Sequence, residues 1–124
     1  MPKYLISFNE GDMKFPESDF PAVADAAHAV MRDAMDADVW IFGGGFQGYS
    51  TRVVDGDGTV SVGPLRHSDV YIGGFCIIDV ESDEEANTWA ARTAAACRCA
   101  QEVRKFMHDE EQEEYLRRTS GRKN

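Results

Sequence analysis

Cations are scarce in this chain. Lys and Arg number 13 against 22 Asp and Glu, which leaves a formal charge of -9 and a pI of about 4.7. Neutralising a phosphate backbone requires a basic face, so nucleic acid is excluded as the main partner. Anionic membrane surfaces are disfavoured for the same reason. A small anionic ligand is not excluded, because a few local Arg and His side chains outweigh the overall charge at close range. Long hydrophobic runs are also lacking. No stretch approaches the ~18 uninterrupted apolar residues of a membrane span. The opening MPKYLISFNEGD has neither the apolar core nor the small-residue cleavage site of a signal peptide. Cysteine is limited to Cys76, Cys97 and Cys99. An odd count without a secretion signal predicts free thiols and a cytoplasmic location. No repeat or interdomain linker interrupts the 124 residues. The expectation is one domain over 1–108, followed by a charged helix and tail over 109–124.

Against these absences stand clear periodic signals. Tyr4 to Phe8 is a short apolar run and predicts a buried central strand. Asp19 to Met35 predicts a helix, with Ser18 or Asp19 as cap and Pro21 in the first turn, where a missing N–H costs nothing. At 100° per residue, Phe20, Val23, Ala24, Ala27, Val30, Met31, Ala34 and Met35 share one face, with His28 on its border. Val39 to Phe42 predicts a second strand that runs into Gly43-Gly44-Gly45. Tyr49–Val54 and Thr59–Val62 flank Asp55-Gly56-Asp57-Gly58, a β-hairpin signal. Tyr71 to Val80 is the longest strand; its apolar residues barely alternate, as expected where both faces are buried or one faces a partner. Ser82 followed by Glu85 forms a capping box for a helix reaching about Cys97. Cys99 to Met107 predicts a last strand. Asp109 to Arg118 predicts an exposed helix with Glu113–Arg117 and Glu114–Arg118 as i,i+4 pairs.

The order is β, α, β, hairpin, β, α, β. Without the hairpin this is the βαββαβ pattern of a ferredoxin-like α+β sandwich. One sheet face carries both helices, and the other needs a cover for its apolar residues. Two protomers meeting sheet to sheet supply that cover, so a homodimer is expected.

Four stretches carry a resemblance to a known family. "KYLISF" is similar to the first strand of the YCII-related, or DGPF-domain, family. "VSVGPL" followed by "IGGFCIIDVESDEEANTWAAR" resembles its Asp-Gly-Pro-Phe turn, Gly-Gly-Phe strand and second helix. "EVRKFM" resembles its closing strand. His28 resembles the histidine that YCII-type members carry on helix one. The match spans roughly residues 3 to 107. The resemblance implies a dimeric α/β barrel, with a cleft in each protomer. Val62 stands where the family has Asp and Leu65 where it has Phe, so chemistry resting on that Asp is absent from this position. Some members are similar to small lyases acting on chlorinated aromatics; others are encoded beside transcription factors.

Several residues are candidates for chemistry. An imidazole can take or give a proton near neutral pH, and His28 borders the apolar helix face, so it suits a general acid or base aimed into a cleft. The alternative is a ring packed at the core margin. Gly63 and Pro64 form a rigid turn that presents Arg66, His67 and Asp69, and Arg66 suits a carboxylate clamp. The alternative is a solvated connection. Arg52 on the hairpin is a further anion contact, and Phe46 a pocket-lining aromatic. Gly43 to Gly48 matches G-x-G-x-x-G, but a strand rather than a helix follows, so dinucleotide binding is not expected. The glycines instead mark a bend or a close backbone passage. Asp55-x-Asp57 lacks the Glu and the flanking helices of a calcium loop. Cys97-x-Cys99 lacks a second ligand pair at zinc spacing. No metal and no organic cofactor is indicated.

Two readings follow. In the first, a small dimeric enzyme uses His28 as general acid or base on a small carboxylated or aromatic metabolite, oriented by Arg66, His67 or Arg52. In the second, a non-catalytic ligand-binding or protein-interaction module presents a surface such as the C-terminal helix.

Overall fold

A computed structural model describes residues 1–47, 50–66 and 70–120. The elements are β1 (Lys3–Asn9), α1 (Phe20–Asp36), β2 (Trp40–Gly45), β3 (Arg52–Val54), β4 (Val60–Val62), β5 (Ile72–Asp79), α2 (Asp83–Cys97), β6 (Glu102–Lys105) and α3 (Glu110–Ser120). The protein is α+β, with antiparallel sheets. Four strands lie in the order β2-β5-β1-β6, and β3 pairs with β4 in a separate two-stranded sheet. This arrangement is compatible with a ferredoxin-like sandwich. The four-stranded sheet stays open, with β2 and β6 as its edges.

Register explains which face holds the core. Tyr4 lies opposite Ile78 and Ile6 opposite Cys76. These four join Ala34 of α1 and Ala86 and Ala90 of α2 in one buried cluster. Side chains alternate across a strand, so Leu5, Ser7, Phe75 and Ile77 occupy the opposite face. Phe42, paired with Ile77, shares it and is 65% exposed.

The helices begin and end by means the periodicity did not show. A 3-10 turn over Glu17–Asp19 precedes α1, and Asp19 makes no side-chain cap bond. Its carboxylate instead accepts from Arg98 Nη1 at 2.8 Å. Arg98 is the C-cap of α2, in left-handed backbone at φ 58°. That bond therefore ties the start of one helix to the end of the other. At the α2 N-terminus, Ser82 Oγ accepts from the Glu85 N–H at 3.1 Å, as the capping box requires. The return arm is shifted by one residue: Glu85 Oε2 accepts from the Glu81 N–H at 2.9 Å.

The last strand is shorter than its apolar residues suggested, ending at Lys105. The expected pairs of α3 are also rearranged. Glu113 accepts from Lys3 Nζ at 2.8 and 2.9 Å. Arg117 meets Glu114, three residues before it, at 2.6 Å and Glu110 at 3.2 Å. A partner across the fold takes Glu113 from its helix neighbour.

Candidate ligand clefts

α1 lies over the sheet without filling the space beneath it. Of its eight-residue apolar face, only Val23 and Ala34 are buried. Phe20 is 61% exposed and Met35 is 50% exposed. Most of the remaining face walls a cleft of about 310 Å3 between α1 and the sheet. Its far wall includes Ile6, Phe8, Trp40 and Cys76, and its floor is the glycine strand of β2. Met13 and Phe15, from the loop after β1, close one side. The lining carries no Asp, Glu, Lys or Arg. Its polar side chains are His28, Thr93 and Gln101, with the thiols of Cys76 and Cys97.

His28 stands on the exposed side of α1 and borders this cleft. Among the described residues it has no hydrogen-bond or ion-pair partner, so its ring nitrogens are open to a ligand. Thr93 Oγ1 is committed to Trp89 O at 2.9 Å. Gln101 Nε2 donates to Cys99 O at 3.3 Å, which fixes the amide beside the cleft. Burial pushes the Cys76 thiol up to about 11, with the neighbouring Cys97 adding to the shift. Burial raises Cys97 as well. Both thiols are therefore protonated at neutral pH, and all three cysteines are free.

The glycine strand shows why side chains are missing there. A Cβ on Gly43 would lie 2.6 Å from Cys76 Cβ and 2.8 Å from Phe75 O, so this position admits only glycine without a shift. The expected close passage is thus real at Gly43. It does not extend along the run: a Cβ on Gly44 meets nothing within 4 Å, and one on Gly45 meets only Gly73 O at 3.7 Å. Gly43 to Gly45 belong to β2 itself rather than to a phosphate-binding turn.

A second cleft, of about 870 Å3, lies beside the hairpin. Phe46, Arg52 and Pro64 line it together with Glu10, Thr51 and Tyr71. Gly63 packs close by; its N–H donates to Thr51 O at 2.7 Å, and a Cβ there would lie 2.8 Å from Thr51 Cγ2. Arg66 is exposed and lines neither cleft. His67 and Asp69 lie outside the described residues. Among the described candidates, Phe46, Arg52 and Pro64 come together, while His28 borders the other cleft. Val62 and Leu65, at the positions of the family's Asp and Phe, are 91% and 75% exposed. Asp57 is occupied within its turn: hydrogen bonds from the Thr59 side chain and then from the Thr59 N–H, the latter at 2.9 Å, hold its carboxyl below the usual carboxylate range.

Sequence reasoning missed Met13, Phe15 and Cys97 as cleft residues. The signal was present for the first two, as apolar residues in an otherwise polar loop. Cys97 gave none, because its position depends on where α2 ends against β5.

Fold and site together define a small antiparallel α+β domain with an apolar cleft beneath its first helix. No protein-family model matches the chain, and no curated protein matches it. No helix among the described residues is long and apolar enough to cross a membrane.

Proposed function

We propose that this is a YCII-like homodimeric protein that binds a small aromatic metabolite in the cleft beneath α1, with His28 as its hydrogen-bonding group. One observation carries this reading: most of the apolar face of α1 walls an open cleft, and only Val23 and Ala34 are buried. Leaving apolar surface exposed forgoes about 25 cal/mol per Å2, and a ligand recovers that surface. A largely apolar pocket with a few convergent polar groups is the usual form of a small-molecule site.

The dimer rests on the other sheet face. Leu5, Phe42, Phe75 and Ile77 share it, and Phe106 beyond β6 is 48% exposed. Pairing two such faces removes this surface from water and yields a dimeric α/β barrel. Light scattering should then give twice the chain mass, and Phe42→Glu should shift the protein to monomer. A wild-type monomer at micromolar concentration sinks the dimer.

A second reading, general acid or base catalysis, is favoured by the unpartnered imidazole. With no carboxylate in the cleft lining, His28 would act without an orienting partner there. The deciding experiment is a thermal-shift screen of aromatic and carboxylated metabolites on the wild type and His28→Gln. Ligand bound only to the folded state raises the melting temperature by mass action. Aromatic hits that weaken in the variant support the cleft, and turnover of a hit by the wild type alone supports catalysis. A panel without hits counts against both.

A further inference from the structure

The chemistry of the lining narrows the ligand further, on the premise that the cleft binds a small molecule. The lining has no charged side chain apart from His28 when protonated. A carboxylate placed there would lose its hydration without a fixed cation to replace it, and burying an unpaired charge is costly. Arg98 is the obvious nearby cation, since its guanidinium lies 5.8 Å from the centroid of the Phe15 ring. It is already paired with Asp19 at 2.8 Å, however, so it does not supply a free anchor. The walls offer ring edges and faces from Phe8, Phe15 and Trp40, and the thioethers of Met13 and Met31. Such groups favour an aromatic guest. An apolar cavity of about 150 Å3 accepts one benzene ring; about 310 Å3 accommodates two fused rings with a small substituent.

The floor adds a shape requirement. Cross-strand partners share a face, and Gly43 pairs with Cys76, which lines the cleft. Two residues on, Gly45 therefore presents its absent side chain to the same side. A side chain there is compatible with the fold, because its Cβ would make only an ordinary contact with Gly73 O at 3.7 Å. Unlike Gly43, Gly45 is not demanded by packing. What its bareness provides is room at the cleft floor.

We infer that the cleft selects planar, uncharged aromatic compounds of one or two rings that lie along the β2 glycine strand, and that Gly45 is a specificity-determining residue. The hydroxyl or similar substituent of such a compound meets His28.

The test compares 1-naphthol with 1-naphthoate by isothermal titration on the full chain. The proteins are the wild type, Gly45→Ala, Gly45→Val and His28→Gln, each with its melting temperature recorded. The expected result is that wild type binds naphthol at least tenfold more tightly than naphthoate. Affinity for naphthol falls in steps from Gly to Ala to Val while melting temperature stays within a few degrees. Gly45→Ala keeps the test open if the valine variant fails to fold. Naphthoate binding as tightly as naphthol overturns the charge selection, and undiminished naphthol binding by a folded Gly45→Val overturns the role of Gly45. If naphthol fails while other compounds from the thermal screen bind, this inference alone falls. If nothing binds, the ligand-binding reading falls and this one with it.

Discussion

Lys3 holds Glu113 through both carboxylate oxygens, at 2.8 and 2.9 Å, although the two residues lie at opposite ends of the described chain. Lys3 also reaches Asp79 Oδ2 at 3.6 Å. β1, β5 and α3 therefore meet at one ammonium group. The bond to Lys3, first among the causes, lowers the Glu113 carboxyl below its ordinary value. A carboxylate depressed in the folded state adds stability above the unfolded value near 4.5, and loses it as pH falls through the folded value. Acidification should thus loosen α3 before the sheet. Hydrogen exchange of the α3 amides, corrected for intrinsic rate, should show reduced protection at pH 3 relative to pH 7. Glu113→Ala should show the reduced protection already at pH 7. Equal protection in variant and wild type at pH 7 would remove this contact as the tie.

Tyr4 gives a titration of opposite sign. Its hydroxyl donates to Asp83, and that bond, with burial and the charges of Asp83 and Glu84, raises its pKa to about 12. The neutral phenol is the favoured form in the folded protein. Its contribution is complete below the unfolded value near 10 and is lost as pH rises from there through about 12. Absorbance at 295 nm should show one of the four tyrosines ionising late, at about pH 12 or together with alkaline unfolding. In Asp83→Asn that tyrosine should titrate earlier. An unchanged curve would refute the assignment.

The thiols report on the cleft. Cys76 and Cys97 line it and are each 8% exposed, whereas Cys99 is half-buried and outside the lining. Iodoacetamide should modify Cys99 first at pH 8, with Cys76 slowest because its thiol is raised to about 11. A bound aromatic compound should slow Cys97 further and leave Cys99 unaffected. Mass spectrometry of the peptides decides this, and equal protection of all three would place the compound elsewhere.

Ser82 should carry measurable helix stability. Its hydroxyl satisfies the Glu85 N–H at the start of α2. Ser82→Ala should cost about 1 kcal/mol by urea denaturation, and Ser82→Gly less. A loss of the same size in Ser82→Asp, which also caps, would point to another cause.

Phe46 and Phe75 meet edge to face at 5.8 Å, with Phe46 lining the hairpin cleft and Phe75 on the sheet face turned away from α1. Such a pair is worth about 0.5–1.5 kcal/mol beyond its buried area. Phe46→Ala should lower stability by at least that amount and leave ligand affinity in the α1 cleft unchanged, because the Phe75 ring lies on the other sheet face. Weakened binding in the α1 cleft would show that the two clefts are coupled through the sheet.

The order of elements was legible because local rules wrote it. Pro21, the Ser82 box and the Asp-Gly repeat of the hairpin each act within a few residues. The cleft was only half legible. Periodicity gathered Phe20, Val23, Ala27 and Met31 on one face and put His28 at its border, but it cannot say whether a face meets atoms or space. Phe20 looks like core by spacing and is exposed because α1 stands over a cleft, while Met35 is exposed outside that lining. The Asp19–Arg98 and Lys3–Glu113 bonds were illegible for a different reason. Each joins residues distant in sequence, and each displaces a local partner that the sequence offered.

The strand order has a consequence for how the chain comes together. β1 occupies an interior position, between β5 and β6. Lys3 finds Asp79, and Tyr4 finds Lys105, only after most of the domain has been synthesised. During translation, β1 therefore waits with Tyr4 and Ile6 uncovered while α1, β2 and the hairpin leave the ribosome. Non-local pairing of this kind slows folding and prolongs the exposure of apolar strand surface. The nascent chain is most vulnerable to aggregation, and most in need of a chaperone, in the interval before β5 arrives.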